Sequence, residues 1–457
     1  MSRRSIRDLK RSILHPRLST LAIWVVLGSV VGVICGFASA AFLGLLDVVT
    51  KVRGRHEALV YALPVAGLLI GLIYERFGRD IKAGNNLVID TIHDGGPQIP
   101  LRMAPMVLVG TVLTHLFGGS AGREGTAVQM GASLSDFVAH RMGWSKSLRR
   151  TLLVAGVSGG FGSVFGTPIA GTLFGLEFIV LGRIEYAALV PALVAAIVGD
   201  WTTRSLGIAH AAYPQVLGLD FTPVLLLKWL VFALAIALTT RAFIGLLRWV
   251  KRHGEQRIPK LGVRMFVGGL LLVCMWKVVG TSDYLGLGVP TILRAFHDPH
   301  LPAHAFLLKV LFTAVTLGSG FLGGEVTPLF FVGATLGNAL ARALGLPLEL
   351  GAGVGLAAVF AAASNTPISL SIMAVELLGH HLLPHVFIVC IIAYLLSGHR
   401  SIYPAQRVLR AKVGQILPEP VALRDWDQLR DDVRTATPHD DEPRRQTATP
   451  HDDEPRR

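Results

Sequence analysis

The sequence predicts an all-α protein that crosses a membrane many times, and its composition and hydropathy pattern carry this prediction. Of 457 residues, 52% are hydrophobic and only 16% charged, whereas roughly a quarter are charged in soluble chains. The apolar residues form blocks long enough to cross a bilayer, which takes about 20 apolar residues in a helix. Examples of such blocks are 21–46, 58–74, 223–242 and 382–397.

The positively charged residues of the chain lie at the ends of its apolar segments and in short loops. Residues 1–20 are predicted to be a basic cytoplasmic N-terminus, because Lys and Arg next to a span stay on the cytoplasmic side. The apolar run that follows is too long for a signal peptide and has no convincing cleavage site. The net charge of +13 therefore does not indicate a nucleic-acid partner. The basic residues before the first block are Arg3, Arg4, Arg7, Lys10, Arg11 and Arg17.

Several other apolar segments are interrupted by Gly, Pro, Asn or Ser before they reach spanning length. Such short segments predict re-entrant helices that end inside the protein, where irregular backbone at membrane depth is tolerated. The alternative is that these glycines only pack ordinary tilted spans together. The interrupted segments are 125–137, 151–163, 168–181, 326–341 and 351–363.

An internal repeat favours the first interpretation. FGTPIAGTLFGLEF at 165–178 and SNTPISLSIMAVEL at 364–377 both place a Glu nine residues after the Pro of Thr-Pro-Ile. Gly-Ala-Ser/Thr-Leu at 131–134 and 333–336 keeps nearly the same offset. We therefore predict two homologous membrane halves, 21–215 and 216–412, with a transport site at their interface near the midplane. The repeated glutamates, Glu177 and Glu376, are expected to bond backbone amides of a neighbouring segment.

The end of the chain has a different composition. TATPHDDEPRR occurs at 435–445 and again at 447–457, and a segment this polar cannot bury a core. Residues 413–457 are therefore predicted to form a disordered tail. Three isolated cysteines suggest neither a disulfide nor a metal site, so no cofactor is expected.

The most specific stretch is GREGTAVQ at 122–129, where a charge pair stands between glycines at the start of an apolar helix. A helix start presents free N–H groups and a positive dipole end, which suit an anion or a carboxylate in its place. Ionisable residues inside membrane segments are usually functional, which singles out Glu124. The alternative is an ordinary Arg–Glu pair in a surface loop.

At this point the chain resembles the CLC family of chloride channels and proton-coupled anion antiporters. GREGT resembles the family's gating motif, with Thr126 where Pro is usual, and GGEVTP at 323–328 resembles its Gly-x-Phe-x-Pro motif. Tyr403 matches the family's anion-facing tyrosine. The resemblance implies two inverted repeats with re-entrant helices, about eighteen per subunit, in a homodimer. It also implies a bacterial inner (cytoplasmic) membrane protein with both termini cytoplasmic.

The departures from the family pattern resemble its bacterial fluoride-exporting branch. Asn85 stands where the usual motif has Ser, and Phe178 occupies the place of the inner proton-handling Glu. The implied function is proton-coupled export of fluoride, with Glu124 as gate and proton carrier and with Glu325 and Thr327 supplying the missing chemistry. The alternative is a chloride/proton antiporter or passive chloride channel. The resemblance implies an anion path formed by Gly84, Asn85, Asn86, Gly125, Thr126, Ala127, Val326 and Tyr403.

An interpretation from another class is intramembrane proteolysis. Gly156-Val157-Ser158-Gly159 matches the Gly-x-Ser-Gly of rhomboid serine proteases, which pair this Ser with a later His. Four residues in a glycine-rich chain are weak evidence, and the duplication does not fit that fold. We expect a transporter of fluoride or chloride ions and protons, not an enzyme.

Overall fold

The structure, a computed structural model, describes residues 3–412 and 416–426. It confirms the predicted all-α polytopic class, with helices joined by short loops. Sixteen α-helices lie in this part of the chain: α1 Arg3–Arg55, α2 Leu63–Phe77, α3 Asn85–Asp94, α4 Met103–Leu116, α5 Glu124–Arg141, α6 Lys146–Phe165, α7 Pro168–Glu177, α8 Leu189–Ser205, α9 Pro223–Arg257, α10 Leu261–Val279, α11 Val289–Arg294, α12 Ala305–Gly318, α13 Val326–Leu344, α14 Leu348–Ser364, α15 Pro367–Leu378 and α16 Leu383–Leu396.

Long apolar helices lie at the periphery and expose large hydrophobic side chains. Five helical stretches of the described chain are long and apolar enough to cross a membrane, and they cover three of the predicted blocks. The fourth block, 382–397, becomes the shorter α16, with 14 residues. The crossing stretches are Leu21–Arg55, Glu57–Phe77, Tyr186–Ser205, Pro223–Arg257 and Leu261–Val279.

The central helices correct part of the prediction about interrupted segments. α7 is short, with 10 residues, but α6 runs uninterrupted for 20 and α13 for 19. Both helices extend past the predicted segments, 151–163 and 326–341, although α13 begins at Val326 as predicted. Glycines inside these helices serve helix packing. A Cβ added at Gly333 would lie 2.1 Å from the Gly355 carbonyl oxygen, so α13 and α14 touch through their backbones.

Gly333→Ala is expected to lower the stability of the purified protein by about 1–3 kcal/mol, as overpacking of a filled core does. The added methyl group must push α13 away from α14. Gly245→Ala on α9 is the control, because nothing lies within 4 Å of its added Cβ. Thermal unfolding in detergent compares the two, and equal midpoints would contradict this account of the α13–α14 contact.

The repeated glutamates bond backbone amides of a neighbouring segment, as the sequence predicts. The Glu376 carboxylate accepts hydrogen bonds from the Ile169 and Ala170 amides at 3.0 and 2.7 Å. The Glu177 carboxylate accepts from the Ile368 and Ser369 amides at 3.3 and 2.9 Å. Each carboxylate thus caps the N-terminus of the other half's helix, α7 or α15, where four backbone N–H groups lack helical partners.

Three short strands form a small sheet, and two of them follow the last helix. β1 (Val180–Leu181) pairs in parallel with β2 (Arg407–Arg410), and β2 pairs antiparallel with β3 (Ile416–Ala422). The prediction of a disordered tail from 413 onward is therefore wrong for 416–426. These residues gain order because Leu181, Val408 and Leu423 form a small buried cluster. The repeated motif at 435–457 lies outside the described residues.

Candidate functional site

The two helix starts singled out by the sequence meet at the centre of the molecule. Gly122 and Gly324 form an antiparallel bridge, with N–H···O distances of 2.6 and 2.8 Å. A Cβ at Gly122 would lie 3.0 Å from the Gly324 carbonyl oxygen, so a larger residue would crowd this approach. The bridge places the first turn of α5 against the first turn of α13.

The Glu124 side chain crosses this contact and caps α13. Its Oε1 accepts from the Thr327 hydroxyl at 2.5 Å, and its Oε2 accepts from the Thr327 amide at 3.1 Å. The Arg123 amide also donates to Oε2 at 3.1 Å, and Arg123 Nε lies 3.4 Å from Oε1. Glu124 is only 1% exposed.

This arrangement is the one expected of a carboxylate that occupies an anion-binding position. The N-terminus of α13 offers free amides and the positive end of its dipole. A small anion in place of the carboxylate would find the same Thr327 hydroxyl and amide donors. The alternative of a surface-loop ion pair does not hold, because Glu124 is buried between the two halves.

On one side of this contact lies a cavity of about 230 Å³. Three residues of the predicted anion path do not line it: Gly125, Ala127 and Val326 are buried close by, at the starts of α5 and α13. The predicted path is therefore only partly open in this structure. The predicted residues that line the cavity are Gly84, Asn85, Asn86, Thr126, Glu325 and Tyr403.

The two neighbouring asparagines of α3 have different surroundings. Asn85 is 8% exposed, and its buried Oδ1 has no hydrogen-bond partner in the described structure. A Cβ at Gly125 would lie 3.1 Å from Asn85 Nδ2, so the amide lies beside the start of α5. Asn86 instead accepts from the Ala405 amide at 3.0 Å. The Asn85 side chain is thus available to bond a ligand, whereas the Asn86 side chain links α3 to the segment that contains Ala405.

Thr126 contributes a hydroxyl to the same wall. Its Oγ1 lies 2.8 Å from Thr111 Oγ1 on α4, a partner that the sequence did not single out. Because either hydroxyl can donate, Thr126 can turn its proton toward or away from the cavity.

Glu325 and Tyr403 are two further residues of the predicted site. Glu325 is partly buried at the start of α13 and lines the cavity. Tyr403 is 3% exposed and lines it too, so this tyrosine does not face lipid. Phe178 packs edge-on against the Tyr403 ring, with centroids 5.8 Å apart. At the position of the family's inner glutamate, Phe178 therefore makes an apolar contact.

Charged residues at the cavity mouth were missed by sequence reasoning. Lys251, Lys82 and Arg264 line the cavity together with Glu255. Glu255 Oε1 lies 3.9 Å from Lys82 Nζ and 3.7 Å from Arg264 Nη2. Lys251 is exposed and forms no ion pair within 4 Å among the described residues. The only sequence signal was a basic cluster at the end of the long apolar α9.

The serine of the protease-like motif lies elsewhere. Ser158 is fully buried within α6, and its hydroxyl donates to the Thr172 carbonyl oxygen at 3.5 Å. No histidine bonds to it in the described structure, so the geometry gives the protease interpretation no support.

Comparisons with known proteins show the family and the fold. Residues 66–398 match the family model described as voltage gated chloride channel. A chloride/fluoride channel protein of Pseudomonas syringae pv. tomato is 47% identical, over 90% of this chain and 92% of that protein. The crystal structure of a CLC-type fluoride/proton antiporter matches with a TM-score of 0.82 and 38% identity, covering 85% of this chain and 98% of that one.

A more distant match extends the fold comparison. The structure of a slow cyanobacterial Cl⁻/H⁺ antiporter matches with a TM-score of 0.72 and 19% identity, over 82% of this chain and 94% of that one. The all-α polytopic fold, the carboxylate at the start of α5 and the family match over most of the membrane region lead to one conclusion. This chain is a multi-pass membrane protein that belongs to the CLC family of anion channels and antiporters.

Proposed function

We propose that this protein exports fluoride across the bacterial inner membrane in exchange for protons. The observation that carries the proposal is the Glu124 carboxylate bound to the Thr327 hydroxyl and amide at the start of α13. A carboxylate and a small anion that compete for the same donors cannot occupy them together. Competition of this kind links the charge state of Glu124 to anion movement.

The proposed cycle follows from the contacts of Glu124. In its charged form the carboxylate holds the α13 start and blocks the path. Protonation weakens its bonds to these donors, because a neutral acid is a poorer acceptor than a carboxylate. The side chain then leaves, and fluoride takes the Thr327 hydroxyl and amide. Glycines on both sides of Glu124, at 122 and 125, leave room for this swing.

Glu325 is the proposed second proton group. Phe178 offers no proton site, and the neighbouring Glu177 is engaged at the start of α15. Glu325 lines the cavity at the α13 start, two residues before Thr327. When protonated it becomes a donor that fluoride can use, so a proton and the anion can pass the same place.

The cavity is proposed to open to the cytoplasm. Basic residues cluster around its mouth, and short loops rich in Lys and Arg stay on the cytoplasmic side. Both chain termini are proposed to lie on that side, and the functional unit is proposed to be a homodimer in the bilayer.

The names of two similar proteins are consistent with this proposal. One is called a CLC-type fluoride/proton antiporter, and the other a chloride/fluoride channel protein. The second name is also consistent with the alternative, a chloride transporter or passive channel of the same fold. Asn85 favours fluoride, because its amide offers two N–H donors where a serine offers one hydroxyl.

The proposal is tested with the purified protein in liposomes. Fluoride efflux and chloride efflux are measured with ion-selective electrodes while proton uptake is followed with a pH-sensitive dye. We expect fluoride to leave much faster than chloride and to drive protons against their gradient. Fluoride efflux without proton movement would support the alternative of a passive channel. Chloride efflux at an equal rate would refute fluoride selectivity.

Lys251→Gln is expected to raise the KM for fluoride at the cavity side by about twofold to threefold, with kcat unchanged. A single exposed charge several ångströms from the entering ion contributes roughly 0.5 kcal/mol in water. The matched control is Lys228→Gln, on the same α9 but absent from the cavity lining. A high concentration of sodium gluconate should erase the difference through screening. A changed kcat with normal KM would contradict this role.

A further inference from the structure

One face of α3 is bonded to the chain that follows Tyr403. The Asp90 carboxylate accepts from Arg424 Nη1 and Nη2 at 2.9 and 3.2 Å, and from Arg407 Nη2 at 3.4 Å. Asp94, one helical turn further on, accepts from Arg407 Nη2 at 2.8 Å. We call these four residues the α3 clamp. Asn86, one turn before Asp90, extends the same face through the Ala405 amide.

The clamp lies close in sequence to both walls of the anion cavity. Asn85 begins α3 only five residues before Asp90. Tyr403 lies four residues before Arg407 on the bound segment. Both Asn85 and Tyr403 line the cavity. A shift of α3 relative to this segment would therefore change the separation of two groups proposed to face the anion.

The other side of the segment is already fixed to the membrane body. Gln406 Nε2 donates to the Phe178 and Ser364 carbonyl oxygens at 2.8 and 2.7 Å. Its Oε1 accepts from the Ser401 hydroxyl at 2.6 Å and from Asn365 Nδ2 at 3.2 Å. These bonds tie the segment to α7 and α14 from both halves. The clamp and the Asn86–Ala405 hydrogen bond tie it to α3.

The clamp is better suited to setting geometry than to adding stability. Arg424 is 47% exposed at its side chain and Asp94 61%, and exposed ion pairs contribute only about 0–1 kcal/mol. Asp90 nevertheless bonds two guanidinium groups, one of them through two parallel N–H donors. A forked Arg–carboxylate pair fixes orientation as well as distance.

We infer that Asp90 is a positioning residue for transport, which holds Asn85 and Tyr403 at the separation that selects the anion. This inference rests on the proposed anion function of the cavity. Because the residues between Asn85 and Asp90 are helical, the first turn of α3 moves together with Asp90. Loss of the clamp lets the separation of Asn85 and Tyr403 vary, so that a larger anion competes with fluoride.

The test compares Asp90→Asn with the parent protein in liposomes and in solution. Asn keeps the size but replaces one acceptor oxygen by a donor that faces the arginines. We expect the KM for fluoride to rise by about threefold to tenfold, since small misplacements of binding groups are costly. The fluoride-to-chloride rate ratio should fall, and amide hydrogen exchange over 403–426 should accelerate. Asp90→Glu should restore most of the KM.

The control is Asp80→Asn, which removes an exposed carboxylate paired with Arg102 outside the clamp. It should change none of these quantities. If Asp90→Asn folds poorly, Arg424→Gln gives a milder change, because Arg407 still bonds Asp90. Faster exchange with unchanged KM and unchanged anion preference would overturn the inference and leave the clamp purely structural.

The two proposals fail in different ways. If the proposed function is wrong, the parent protein itself shows no fluoride efflux, and the KM comparison is then made with chloride. If only the inference is wrong, the parent transports fluoride and Asp90→Asn has the parent's KM and anion preference.

Discussion

Glu124→Gln is expected to abolish proton coupling while anion movement continues. The glutamine cannot ionise, so it carries no proton across the contact between α5 and α13. Its amide nitrogen would also face donors, because Glu124 accepts from the Thr327 amide and hydroxyl and from the Arg123 amide. Two donors that face each other repel, so the side chain should leave the α13 start. The path then stays open.

The measurement is proton movement driven by an anion gradient in liposomes. The control is Glu349→Gln, which alters an exposed glutamate in the first turn of α14. That variant should couple anions to protons as the parent does. Uphill proton movement in Glu124→Gln would exclude Glu124 as the proton carrier. A variant that moves neither ion yet folds normally would contradict its role as a competing gate.

Local sequence signals predicted the helix starts and their reciprocal caps. Glu124 stood out because glycines flank a charge pair before an apolar helix, and its position needed no knowledge of distant contacts. Glu177 and Glu376 stood out through the repeat, which ties each to the same place in one half. These features are local in the chain or repeated in it, so one sequence is enough to reveal them.

Other features depend on contacts between distant parts of the chain. The contacts of the α13 glycines were not predicted, because a sequence does not reveal the α14 backbone that they touch. The strand at 416–422 looked disordered because its partner, the short strand at 407–410, is itself paired with the distant strand at 180–181. Lys251 gave no signal beyond a basic helix end, since its place at a cavity mouth depends on how α9 packs.

The selectivity of the cavity is the second large effect that we expect. Fluoride holds its water tightly, so a site that strips this water must return short, charge-assisted hydrogen bonds. The Thr327 hydroxyl and amide become free when Glu124 leaves, and the Asn85 amide lies beside Gly125 with its oxygen unpaired. Rotation of that amide by half a turn presents its N–H groups to an anion.

Asn85→Ser should therefore reduce the fluoride-to-chloride rate ratio by about tenfold, the loss of roughly 1.5 kcal/mol from one hydrogen bond to a charged group. The chloride rate in the same variant serves as the internal reference and should stay the same or rise. An unchanged ratio would mean that Asn85 is a neutral replacement in a chloride transporter.

Glu325→Gln tests the proton side of the same idea. Its amide can still donate to fluoride but cannot release a proton, so fluoride turnover should slow while thermal unfolding stays close to that of the parent. Glu349→Gln again provides the reference for loss of a glutamate near a helix start. Slow turnover should persist at acidic pH, because the defect is the absence of an exchangeable proton and more protons in solution do not restore it. If the variant instead recovered the parent's turnover at low pH, the defect would be a simple loss of negative charge beside the path. Glu325 would then not be the proton group that replaces the family's inner glutamate, whose position Phe178 occupies.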